Sequence, residues 1–113
     1  MATVYVTNYA GHDYTDAERY GTIKPITRGF VSFQSLDRVK FNLCVELQQI
    51  TEDDWLLISG TPALTAIIVA AWIVKLGKVQ LLVHDFGNTG KYRELILSDK
   101  NFNDIFRVLS DAP

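Results

Sequence analysis

Two periods of hydrophobic and polar residues follow one another along this chain, and the switches between them mark its elements. Thr3 to Asn8 is β-branched and aromatic and reads as a first strand. Tyr9 to Tyr14 is polar, holds Gly11 and Asp13, and reads as a turn. Thr15 followed three residues later by Glu18 has the form of a capping box, which predicts a short helix ended by Gly21. A second extended segment runs from Thr22 to Phe33, with a break or bulge expected near Pro25 and around Arg28-Gly29. Ser35 is placed to cap a helix reaching about Ile50, because Leu36, Val39, Leu43, Leu47 and Ile50 recur at helical spacing.

Thr51-Glu52-Asp53-Asp54 reads as a solvated loop whose charges keep the helix apart from the next strand. Trp55 to Ile58 is a short apolar strand, the kind buried on both faces of a parallel sheet. Thr61 then serves as N-cap with Pro62 in the first helical position. The helix from Ala63 to Leu76 is apolar nearly all round, so it is expected to be the most buried one, with Gly77 ending it. Val79 to Val83 follows as a strand, and such a strand–helix–strand unit is parallel and right-handed. Phe86 to Gly90 reads as a hairpin loop leading into an antiparallel edge strand from Tyr92 to Leu97. Phe102, Ile105, Phe106 and Leu109 mark a short C-terminal helix. No repeat or linker interrupts residues 1–113. The expectation is one α/β domain: a small Rossmann-like sheet, mostly parallel, with an antiparallel C-terminal edge hairpin.

Composition narrows the partners. With 113 residues the chain buries about two-thirds of its unfolded surface, enough for a core. The net charge is -2 and the eleven basic residues are scattered, which argues against a nucleic-acid polymer as partner. Trp55 to Val74 is free of charge, but Gly60-Thr61-Pro62 divides it into a strand and a helix too short to span a bilayer. The opening Met-Ala-Thr-Val-Tyr-Val alternates like a strand and has no signal-peptide pattern. Cys44, the one cysteine, falls within an apolar helical pattern and is expected to be a small buried hydrophobe. A soluble cytoplasmic protein without membrane contact is the reading. Exposed edges of a small sheet leave room for a homo-oligomer.

Ligands of open α/β sheets bind beyond the carboxyl ends of parallel strands. Three loops qualify: Asn8 to Asp16, Ser59 to Pro62, and His84-Asp85. In Ser59-Gly60-Thr61 the glycine admits a ligand close to the backbone, and the helix start that follows favours an anion. The lysine of a P-loop and the three spaced glycines of a dinucleotide fingerprint are absent. Gly11-His12-Asp13-Tyr14 has two readings, an Asx-type turn closed by Asp13 or a recognition loop. In the second, Tyr14 stacks while His12 and Arg19 meet a polar or anionic group. Two His-Asp pairs, at 12–13 and 84–85, are too few ligands to define a metal site. Ser59, His84 and Asp13 are conceivable triad members, but Leu57 stands where a nucleophile elbow needs glycine. The candidate ligand-binding set is therefore Asn8, Gly11, His12, Asp13, Tyr14, Arg19, Ser59, Gly60, Thr61 and His84, with no catalytic residue, metal or cofactor assigned.

The run from Gly11 to Gly21, together with Ser59-Gly60-Thr61-Pro62, resembles small α/β proteins of tailed-phage and bacterial genomes. The Ser-Gly-Thr-Pro step also resembles the ligand loop of CRISPR-associated Rossmann-fold domains, which bind cyclic oligonucleotides. Those domains usually carry a second glycine before the threonine, and this chain does not. The leading reading is a small Rossmann-like, non-enzymatic binding domain that holds a nucleotide-like or other anionic small molecule at the loop edge. In a phage it implies a counter-defence protein that sequesters a signal nucleotide in the host cytoplasm. The competing class is a protein–protein interaction module that works through exposed aromatics.

Overall fold

A computed structural model describes residues 2–9, 11–29, 36–85, 87, 90–98 and 100. The proposed cap at Ser35 and the C-terminal helix from Phe102 to Leu109 lie outside the described residues. So do the side chains of Leu36 and Val39. Among the described residues one sheet holds five strands: β1 Thr3–Tyr9, β2 Thr22–Arg28, β3 Trp55–Leu57, β4 Lys78–His84 and β5 Tyr92–Ser98. Their spatial order is β2-β1-β3-β4-β5. β1 is parallel to both β2 and β3, β3 is parallel to β4, and β5 runs antiparallel to β4. The mostly parallel sheet with an antiparallel edge at its C-terminal side is thus as expected.

Alternation along the strands sorts two cores. Tyr5, Leu56, Val79 and Leu81 face the helices α1 (Leu36–Leu47) and α2 (Pro62–Leu76), packing against Leu43, Leu64, Ile68 and Trp72. Val4, Val6, Leu57 and Leu82 face the other way, towards Tyr14 and Ala17 of the turn and a 3-10 helix, Thr15–Tyr20. The chain moves from β1 to β2 across this second face, then from β2 to β3 and from β3 to β4 across the first. Opposite directions over opposite faces keep one hand for all three crossovers. The direction reverses at β1, so the crevice between β1 and β3 is the switch point of the sheet.

The punctuation of α2 reads as its sequence predicts. Thr61 is extended and its hydroxyl accepts from the Leu64 amide, Pro62 opens the helix, and Gly77 closes it at φ 74°. Among the described side chains it is the more buried of the two α-helices, yet only on one side: Ile68 and Trp72 are covered while Val74 is 86% exposed. No helix among the described residues is long and apolar enough to cross a membrane.

Several local expectations need correcting. Pro25 does not break β2, because β2 is an edge strand and the proline sits in register opposite Val6 without interrupting the run. The capping box does not form. Asp13 Oδ1 accepts from both the amide and the hydroxyl of Thr15, so Thr15 becomes the first helical residue, with its hydroxyl already engaged. Cys44 is exposed, since Leu43 next to it takes the inward position and the helix turns Cys44 outward with Phe41 and Val45. Asp54 is buried, not solvated. Its carboxylate accepts from the amides of Thr3 and Thr51 and ties the start of β1 to the approach to β3.

Candidate functional site

The site is built where β1 and β3 part. Their backbone pairing stops at Val6 and Leu57, and the next amide, Ile58, turns away to the Leu82 carbonyl at 3.1 Å. Thr7, fully buried, spans the gap with its side chain: its hydroxyl accepts from the Ser59 amide at 2.7 Å and donates to the Ser59 carbonyl. A side chain replaces the ladder there and holds the loop after β3 against the end of β1. Gly60, at φ +112°, occupies backbone space that favours glycine, and a Cβ there would stand 2.8 Å from that of Asn8. Gly60 is therefore required by the backbone. Replacing it with valine would strain the loop and would not serve as a simple plug.

The turn after β1 meets this loop. The Tyr14 hydroxyl lies 3.3 Å from Ser59 Oγ and 3.5 Å from the Asn8 carbonyl. From the far side, β5 starts opposite His84, so Tyr92 comes to the same end of the sheet. Its amide donates to Asp16 at 2.9 Å and its hydroxyl to the Asp13 carbonyl at 3.4 Å. The ring of His84 stands edge-on to that of Tyr92, 5.9 Å away.

These elements enclose a cleft of about 440 Å³. It brings together six of the residues singled out from sequence: His12, Asp13, Tyr14, Ser59, Gly60 and His84. The others stand apart. Asn8 is buried beneath the cleft, where its amide donates to the Gly29 carbonyl at 2.8 Å. Thr61 is taken up with capping α2, and Gly11 is exposed in the turn. Arg19 lies on the 3-10 helix with its guanidinium over the Tyr20 ring and 3.6 Å from Asp16. Ile58, Gly90 and Tyr92 complete the lining and were not legible as site residues. The signal for Tyr92 was its pairing with His84, which a hairpin register would have supplied.

The cleft is edged by rings and by one ionised carboxylate. Hydrogen bonds from the Thr15 hydroxyl and amide hold Asp13 below the usual carboxylate range. The Tyr92 amide, with help from Arg19 and Lys91, does the same for Asp16. Burial, reinforced by Tyr14, Asp13 and Asp16, raises the Tyr92 phenol, so it keeps its proton at neutral pH. No Lys or Arg among the described residues lines the cleft. Among the described residues, no group of three or more His, Cys, Asp or Glu could hold a metal ion.

Comparison with curated proteins and with solved structures finds no match. A family model described as Phage Pam3 gp32-like protein matches residues 2–98, a span that takes in all five strands, α1 and α2, and the chain belongs to that phage family.

Proposed function

We propose that this phage protein is a non-enzymatic binding domain for a nucleotide-like, anionic small molecule held in the cleft. The observation that carries the reading is the convergence of three loops, after β1, β3 and β4, at the switch point of the sheet. A planar ring has the imidazoles of His12 and His84 and the rings of Tyr14 and Tyr92 to pack against. An anionic group belongs at Ser59-Gly60, beside the amino end of α2, where helix N–H groups and the dipole favour negative charge. Ser59 Oγ faces a phenol at 3.3 Å, an arrangement suited to hydrogen bonding a ligand more than to activating a nucleophile. In a phage, such a domain would act in the host cytoplasm as a counter-defence protein that withdraws a signal nucleotide. A protein-interaction role is the second reading, favoured by Phe41 at 71% and Val74 at 86% exposure.

Thermal unfolding with added 5′-mononucleotides separates the two. A binder gains about 2.7 kcal/mol at a hundredfold excess over Kd, a rise of roughly 10 °C for a domain of this size. His12→Ala, an exposed change, should weaken that binding about fivefold through the lost ring contact. An unchanged melting curve with every nucleotide would leave the interaction module standing.

A further inference from the structure

The His12-Asp13-Tyr14 turn has a cavity on each side. One is the cleft of about 440 Å³, and the other is a hollow of about 370 Å³ between the turn and the end of β2. Each lies within the range of small-ligand pockets, roughly 300–1,000 Å³. The same three residues line both, so the two cavities adjoin at the turn. Tyr9 and Tyr14, with ring centres 4.9 Å apart, continue the aromatic surface from one side to the other.

Among the described residues, an arginine lines the hollow and none lines the cleft. Arg28, the last residue of β2, is exposed and lies 5.3 Å from the centre of the Tyr9 ring. It forms none of the ion pairs among the described residues. Packed on a ring yet without a carboxylate, its guanidinium offers a fork of N–H donors shaped for phosphate. Asp13, on the crest, spends Oδ1 on Thr15. A carboxylate at that point suits a sugar hydroxyl and repels phosphate, so anionic groups are directed to either side of it.

We infer that the site takes a two-part ligand of the dinucleotide class, with one nucleotide unit in the cleft and a second, phosphate-bearing unit across the turn against Arg28. This rests on the reading of the cleft as a nucleotide site. A mononucleotide would occupy one side only and bring no phosphate to Arg28. Glu18, on the wall of the hollow, opposes the second anion, and its charge should limit affinity.

The test is calorimetric titration of the full chain with the four 5′-mononucleotides and the four matching 5′-phosphorylated homodinucleotides. The best dinucleotide should bind at least about tenfold more tightly than its mononucleotide, since it adds a charge-assisted arginine–phosphate contact. Arg28→Ala should remove that advantage and leave mononucleotide affinity unchanged, lowering the melting temperature by no more than a few degrees through the lost contact with the Tyr9 ring. Glu18→Gln should strengthen dinucleotide binding by about two- to threefold. Equal affinity for both ligand classes, indifferent to Arg28→Ala, overturns the two-part ligand while leaving the cleft as a mononucleotide site. Failure of every nucleotide to bind overturns both readings.

Discussion

Trp72→Ala is expected to lower the unfolding free energy by about 3–5 kcal/mol, as deletions of large aromatics in cores do. Trp72 is 1% exposed on the inner face of α2, with its ring edge-on to Tyr5 at 5.4 Å. The same cluster takes in Leu43 of α1 and Leu56 and Val79 of the sheet, so the indole belongs to the core between the helices and the strands. Little can move to fill the space, because the neighbours are themselves strand and helix residues held by backbone hydrogen bonds. Denaturant titration should show a lower midpoint at unchanged slope. A loss below about 1 kcal/mol would mean that the indole is not a core residue.

The second large effect is expected at Thr7. Thr7→Val keeps the volume of a fully buried side chain and removes the hydroxyl that both accepts from the Ser59 amide and donates to its carbonyl. Orphaning those groups should cost about 1–3 kcal/mol. The damage should be local. The Ser59 amide should exchange with solvent much faster, while Ile58, bonded to Leu82, keeps its protection. Thr7→Ser, which retains the hydroxyl, should restore the protection. Slow exchange at Ser59 in the valine variant would show that the loop is held by something else.

What could be read from sequence followed from how local its causes are. Thr61, Pro62 and Gly77 act on their own helix, and α2 begins and ends where they say. Opposite hydrophobic periods separated strands from helices, and a charge-free β3 correctly implied a central strand. Partners distant in sequence left no such trace. Thr7 reads as an ordinary β-branched strand residue, since the amide it serves lies 52 residues away. Asp54 looked solvated among its charged neighbours because Thr3, which it anchors, is 51 residues distant. Cys44 was misplaced by one helical position: the apolar character of α1 continues onto its outer surface at Phe41 and Val45, so hydrophobicity alone does not define the inward face.

The site shows the same division. Directional rules for parallel strands placed Ser59 and His84 at one edge, and the parallel pairing of β1 with β3 added the His12 turn to them. Arg19 looked equivalent to His12 in sequence, but the 3-10 helix carries it to Asp16 and Tyr20. Tyr92 was missed because it arrives from the antiparallel edge strand, outside the rule that directed attention to the ends of parallel strands.

The central claim is that the cleft at the switch point is where a nucleotide-like ligand sits. Titration of isotope-labelled protein with a 5′-mononucleotide, followed through backbone amide shifts, tests it directly. Saturable shifts are expected at 12–14, 58–60, 84 and 92, with little change along the outer face of α2 or at Asp54 on the opposite edge. Saturable shifts confined to α1 and α2, or none at millimolar nucleotide, would contradict the account.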